Sequence, residues 1–115
     1  MTVKIYHNPR CTKSRQTLAL LTDRGIEPEV VEYLKTPPTK TELSKVLSML
    51  GIEARALMRE RETEYKDQGL DNPDLTDTDL INAMIEHPIL IERPIVVTKT
   101  KAAIGRPPEN VLDIL

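Results

Sequence analysis

The 115-residue chain contains one cysteine, no phenylalanine, no tryptophan and only four glycines. A single thiol cannot close an internal disulfide, so no covalent staple is available to the fold. Without Phe or Trp the core must be filled by aliphatic side chains, and the 39% hydrophobic content is enough for one compact domain. An excess of one charge is also missing. Lys and Arg number 16 against 18 Asp and Glu, a net charge of -2, which argues against broad nucleic-acid or membrane binding and confines any anion site to a local cluster. No apolar run approaches the roughly 20 residues that cross a bilayer. Residues 1–10 lack the apolar stretch of a secretory signal, so a cytoplasmic protein is expected. His7, Cys11 and His87 are too scattered for metal-ligand spacing, so no metal is expected.

What is present centres on Cys11. It lies where a short apolar strand, Val3 to Tyr6, gives way to a helix beginning near Thr12. A thiol at a helix N-terminus faces unpaired backbone N–H groups and the positive end of the helix dipole, both of which stabilise thiolate. Arg10, Lys13 and Arg15 add three cations nearby, so Cys11 is expected to ionise nearer neutral pH than a free cysteine, at ~8.5. The same environment attracts an oxyanion. Ser14 and Arg15 follow at i+3 and i+4 on the same helix face, within reach of the thiolate or the anion.

The periodicity predicts a helix over 14–24, ending at Gly25, and a second strand over Glu29–Leu34. Strand, helix and strand make a βαβ unit with parallel strands and Cys11 at the carboxyl end of the first, the edge where ligands bind. After Pro37 and Pro38, Thr39 and Glu42 form a capping box for a helix with Leu43, Val46, Leu47 and Leu50 on one face, ended by Gly51. Short helices are expected over 53–61 and 62–68, and a longer one capped by Thr76 and Asp79. Ile95–Val97 and Ala102–Gly105 read as an antiparallel hairpin. Pro107 and Pro108 open a last helix whose Val111, Leu112 and Leu115 pack on the sheet. The expected architecture is α/β: one thioredoxin-like (glutaredoxin-like) domain, 1–115, with a four-stranded mixed sheet and a helical insertion at about 39–88. One fold hosts many activities, so this order alone gives no function.

Four segments are more specific: His7-Asn8-Pro9-Arg10-Cys11-Thr12-Lys13-Ser14-Arg15, Ala56-Leu57-Met58-Arg59, His87 through Val97, and Gly105-Arg106-Pro107-Pro108-Glu109. Together they resemble the glutaredoxin-dependent arsenate reductase family, ArsC, over nearly the whole chain. The resemblance implies Cys11 as nucleophile and Arg59, Arg93 and Arg106 as the arginines that hold the oxyanion, with Pro94 at the position of a cis-proline. It implies arsenate or a similar oxyanion as substrate, glutathione as co-substrate, glutaredoxin as partner, and no bound cofactor. A monomer is expected, and His7, four residues before Cys11, would tune the thiolate. Guanidinium forks suit a tetrahedral oxyanion better than ammonium groups do, and the lack of a second cysteine fits a resolving thiol supplied from outside.

Each assignment has a plainer competitor. A lone cysteine is often a small buried hydrophobe. Arg59 sits between Arg55 and Arg61, and such charge runs are usually solvated faces. Arg106 could pair with Glu109, Arg93 could be an ordinary loop residue, and His87 reads as structural at a helix end. Two other functions remain open: a monothiol oxidoreductase acting on glutathione mixed disulfides, and a binding regulator resembling Spx. Ser14 occupies the position of the second cysteine in the Spx Cys-x-x-Cys pair, which removes that disulfide switch.

Overall fold

A computed structural model describes residues 2–115; Met1, counted in the expected 1–115 domain, lies outside them. The chain divides into two compact units, one formed by the residues up to Thr36 together with Arg93–Leu115, the other by Pro37–Glu92. The second is slightly wider than the 39–88 insertion expected from the sequence.

The first unit carries the sheet. Strands β1 (Lys4–Tyr6), β2 (Glu29–Val31), β3 (Ile95–Val97) and β4 (Ala102–Ile104) lie in the order β2-β1-β3-β4. β1 pairs parallel with β2 and antiparallel with β3, and β3 pairs antiparallel with β4. This mixed four-stranded sheet is the expected α/β, thioredoxin-like arrangement. Helix α1 (Thr12–Asp23) crosses from β1 to β2 and a 3₁₀ helix, Pro108–Ile114, follows β4. Val3, Ile5, Leu21, Val96 and Val111 form an aliphatic core, with Leu18, Ile26, Ala103, Ile114 and Leu115 packed around it.

Two expectations are corrected here. β2 stops at Val31 instead of running to Leu34, because β1 offers only three paired residues before its own turn and the chain then folds back on Glu32, whose carbonyl accepts from the amides of Lys35 and Thr36. The last helix forms as a 3₁₀ helix, and the expected packing of Leu112 is not met. Its three-residue period puts Val111 and Ile114 towards the core, and Leu112 is only half-buried.

The second unit contains α2 (Lys40–Leu50), α3 (Thr63–Asp67) and α4 (Asp77–Glu86), with 3₁₀ turns at Ala54–Leu57 and Pro88–Leu90. Both capping boxes form: Thr39 with Glu42 on α2 and Thr76 with Asp79 on α4. Gly51 ends α2 at φ 68°, a left-handed conformation that glycine adopts without a Cβ penalty. The helix expected over 53–61 shrinks to its 3₁₀ turn because the chain then extends: Met58 pairs with Ile91, Arg59 N donates to Leu90 O at 2.7 Å, and Glu92 N to Leu57 O at 2.8 Å. The helix expected over 62–68 is confined to Thr63–Asp67. Among the described residues no helix is long and apolar enough to cross a membrane.

Candidate functional site

Local sequence fixes the turn that delivers Cys11. Asn8 Oδ1 accepts from Arg10 N at 3.0 Å, and the Asn8 carbonyl accepts from Cys11 N at 3.0 Å, with Pro9 supplying the fixed φ of the turn. Cys11 is therefore the N-cap of α1, extended at φ -91° and ψ 124°, and its carbonyl accepts from Arg15 N at 3.0 Å. Its side chain makes no capping hydrogen bond, so the thiol is left in front of the first free amides of the helix.

Two arginines from distant parts of the first unit meet this thiol. Arg106 Nη2 lies 3.6 Å from Cys11 Sγ, and Arg106 Nε donates to the carbonyl of Arg93 at 2.7 Å. The Arg93 side chain hydrogen-bonds the Cys11 sulfur. The peptide bonds Arg93–Pro94 and Arg106–Pro107 are both cis. Burial alone would raise the Cys11 pKa. The backbone N–H of Ser14, the hydrogen bond and charge of Arg93, and the backbone N–H of Lys13 outweigh it, and the thiol ionises below its ordinary value.

The direction is the one expected from the sequence, and so is the contribution of the helix N-terminal amides; the three flanking cations do not contribute as expected. Arg10 and Lys13 point into solvent, and Arg15 spends its guanidinium on the Pro9 carbonyl at 2.9 Å and the Thr12 hydroxyl at 3.3 Å. Beside the expected amides, the cation that acts is Arg93, 82 positions away in the chain.

Ser14 and His7 stand behind the thiol as a buried pair. Ser14 is 0% exposed, and its hydroxyl lies 2.6 Å from His7 Nδ1 while accepting from Asn8 N at 3.0 Å. What Ser14 presents to Cys11 is its amide, not the side chain expected to contact an anion. Burial depresses the His7 pKa; Glu32 works against this and Arg15 with it. The neutral imidazole that results can accept the Ser14 proton at Nδ1. Arg59 belongs to the second unit, half-buried, with Nε 3.0 Å from Glu62 Oε1 and Nη1 3.2 Å from Glu92 Oε1. Among the described residues no three His, Cys, Asp or Glu side chains cluster as metal ligands.

Asn8 belongs to the site although the sequence pattern did not single it out. The Asn-Pro pair, a frequent turn initiator, was the available signal for Asn8. Chemically, the first unit presents an ionisable thiol, two guanidinium groups and a row of main-chain donors at one point, suited to an oxyanion and to nucleophilic attack on its central atom.

The chain resembles known proteins over nearly its whole length. The family model described as "ArsC family" matches residues 6–114. An arsenate reductase of Neisseria meningitidis serogroup B is 52% identical over 98% of this chain and 97% of its own. The protein YfgD of Escherichia coli K12, which is named as uncharacterized, is 55% identical over 98% of this chain and 96% of its own. A solved structure of an arsenate reductase from Vibrio cholerae superposes with a TM-score of 0.97 at 54% identity, covering 100% of this chain and 98% of that one.

Proposed function

The chain belongs to the ArsC family, and from that premise we propose that it is an arsenate reductase in which Cys11 is the nucleophile and Arg59, Arg93 and Arg106 stabilise the oxyanion. The observation that carries this reading is Arg106 Nη2 at 3.6 Å from a Cys11 sulfur held at the N-terminus of α1.

The Cys11 thiolate attacks arsenic, an As–S bond forms, and an arsenate oxygen leaves as water after taking up protons. Arg106 and Arg93 offset the negative charge that gathers on the remaining oxygens, and the α1 amides hold the sulfur in line. Glutathione, the co-substrate, attacks next, and glutaredoxin resolves the adduct. The glutaredoxin thiolate attacks the glutathione sulfur, and the As–S bond to glutathione breaks with its electron pair reducing As(V) to As(III). The glutathione–glutaredoxin mixed disulfide departs. Water then hydrolyses the remaining As–S bond, which releases arsenite and returns Cys11 as a thiol. No cofactor is needed for this sequence. Ser14 and His7 serve it by fixing the Cys11 turn. Arg59 supplies the third guanidinium, shared with Glu62 and Glu92 when no anion is bound. In this reading the protein works in the cytoplasm as a monomer, where glutathione is abundant, and its two compact units form one functional domain.

The test is arsenite formation by purified protein supplied with arsenate, glutathione, glutaredoxin, glutathione reductase and NADPH, alongside Cys11→Ser. Turnover that requires both glutaredoxin and Cys11 supports the proposal. A folded protein with a reactive thiol and no arsenate turnover rejects arsenate, and activity on a glutathione mixed disulfide in its place assigns the monothiol oxidoreductase function.

A further inference from the structure

Arg106 meets Cys11 through its side chain, and a residue outside the scheme above holds its main chain. Pro107 and Pro108 follow Arg106 and have no N–H, so neither can donate to its carbonyl. A side chain supplies a donor: Asn110 Nδ2 donates to the Arg106 carbonyl at 3.0 Å. A carbonyl only accepts, so the amide nitrogen and not Oδ1 must face it. The main-chain N–H of Asn110 donates in turn to the Pro107 carbonyl at 3.0 Å.

Asn110 is itself exposed, but it precedes Val111, which is 0% exposed in the aliphatic core. Its two amide groups therefore tie the Arg106–Pro107 turn to a packed helix. On the other side of the turn, Gly105 N donates to the Pro94 carbonyl and Arg106 N to the Ile104 carbonyl, each at 2.9 Å. With the main chain held at both ends, one guanidinium reaches two partners, Cys11 Sγ at 3.6 Å from Nη2 and the Arg93 carbonyl at 2.7 Å from Nε. Any displacement of the Arg106 backbone is carried out to that planar fork. The two contacts lie in different directions, so a change of rotamer cannot restore both.

We propose that Asn110 is a positioning residue for Arg106: its side-chain amide ties the Arg106 carbonyl to the packed 3₁₀ helix, so that the guanidinium stands beside the Cys11 sulfur. This rests on Cys11 and Arg106 forming the reactive centre of the proposed function, but not on arsenate being the substrate.

The test compares two alkylating reagents on Cys11 at one pH, iodoacetate, which carries a carboxylate, and iodoacetamide, which is neutral. In both the thiolate displaces iodide, so a change in thiolate fraction cancels in the ratio of the two rates. What remains in the ratio is the attraction of an anion by the cation placed at the sulfur. The full chain, Asn110→Ala, Arg106→Met and the double variant are measured, each with its unfolding transition, and Arg106→Lys replaces Arg106→Met if the latter does not fold. Asn110→Ala removes the donor at an exposed position. The iodoacetate preference is expected to fall about three-fold in Asn110→Ala, at least as far in Arg106→Met, and no further in the double variant. A ratio unchanged in either single variant overturns the proposal, and so does an equal loss when Asn110→Ala is added to Arg106→Met. A merely structural role would lower the unfolding midpoint and leave the ratio alone. Arsenate turnover, measured on the same proteins, separates the two readings: a chain that reduces no arsenate fails the proposed function and still reports the placement of Arg106 through the ratio.

Discussion

Arg106 binds Cys11 and the main chain of Arg93 with two arms of one guanidinium, Nη2 at 3.6 Å from the sulfur and Nε at 2.7 Å from the carbonyl. The planar fork fixes the direction in which its remaining N–H groups point, whereas lysine could satisfy one of these partners but not both. Arg106→Lys is therefore expected to retain the charge and lose the geometry. A charge-assisted hydrogen bond contributes about 1.5–3 kcal/mol, so kcat/KM for arsenate should fall by roughly 10–100-fold. Steady-state kinetics in the coupled assay check this, and a Lys variant with native kcat/KM would remove the fork from the argument.

The lowered Cys11 pKa affects both reactivity and stability. Alkylation should have its midpoint below the ~8.5 of a free cysteine, and Arg93→Met should move it up. Between the lowered native value and the ordinary value, the unfolded chain still holds the proton that the native chain has lost. Stability relative to Cys11→Ser should therefore rise with pH across that window and be flat above it. Denaturant titrations at several pH values measure the difference, and a fall across the window would contradict the assignment.

Ser14 and His7 are expected to show a stability phenotype. Ser14→Ala would strip the partner from His7 Nδ1 and from the Asn8 amide at a site closed to water, at a cost of about 1–3 kcal/mol in denaturant unfolding. Because burial holds the His7 pKa down, the unfolded chain takes up a proton first as pH falls. Stability should decline from about pH 6.5 down to the depressed native value, and His7→Gln should flatten that decline.

Much of this was legible in the sequence where short-range chemistry decides structure. Thr39 with Glu42 and Thr76 with Asp79 announced two helices, and Gly51 the end of one. Cys11 could be placed at a helix N-terminus because strand, turn and helix occupy adjacent residues. Tertiary placement is legible only through the family resemblance, which names Arg93 and Arg106, and not through local chemistry. The cations flanking Cys11 looked like its activators, yet the effective side chain comes from Arg93, brought across by the β1–β3 pairing. The alternation predicts a strand to Leu34 because nothing local signals that β1 stops pairing at Val31.

Arg59 can be separated from a plain ion-pair residue. Its contacts to Glu62 and Glu92 are half-exposed, and such pairs contribute under about 1 kcal/mol. Arg59→Ala should leave the unfolding midpoint nearly unchanged and reduce arsenate kcat/KM by about 10-fold or more, if one charge-assisted contact to the anion is lost. Unaltered kinetics in a folded Arg59→Ala would return Arg59 to a purely surface role.

Gly105, next to Arg106, leaves room for the Thr17 side chain of α1 and the Pro94 ring to pack against its backbone. A Cβ at this position would stand 2.5 Å from Thr17 Oγ1 and 2.8 Å from Pro94 Cγ, both too close for real contacts. Neither neighbour can move freely: Thr17 is 0% exposed and donates to the Lys13 carbonyl at 2.8 Å, and the Pro94 carbonyl accepts from Gly105 N at 2.9 Å. Gly105→Ala should cost about 1–3 kcal/mol through overpacking, and it should also lower kcat/KM because Arg106 is the next residue. Thr17→Ala removes the Oγ1 and Cγ2 contacts but not the Pro94 contact, so the double variant should recover part of the lost stability and not all of it. Denaturant unfolding of the four proteins measures the coupling. Purely additive losses would show that the clash is relieved elsewhere, and that Gly105 is required by its backbone instead of by the space it leaves for Thr17.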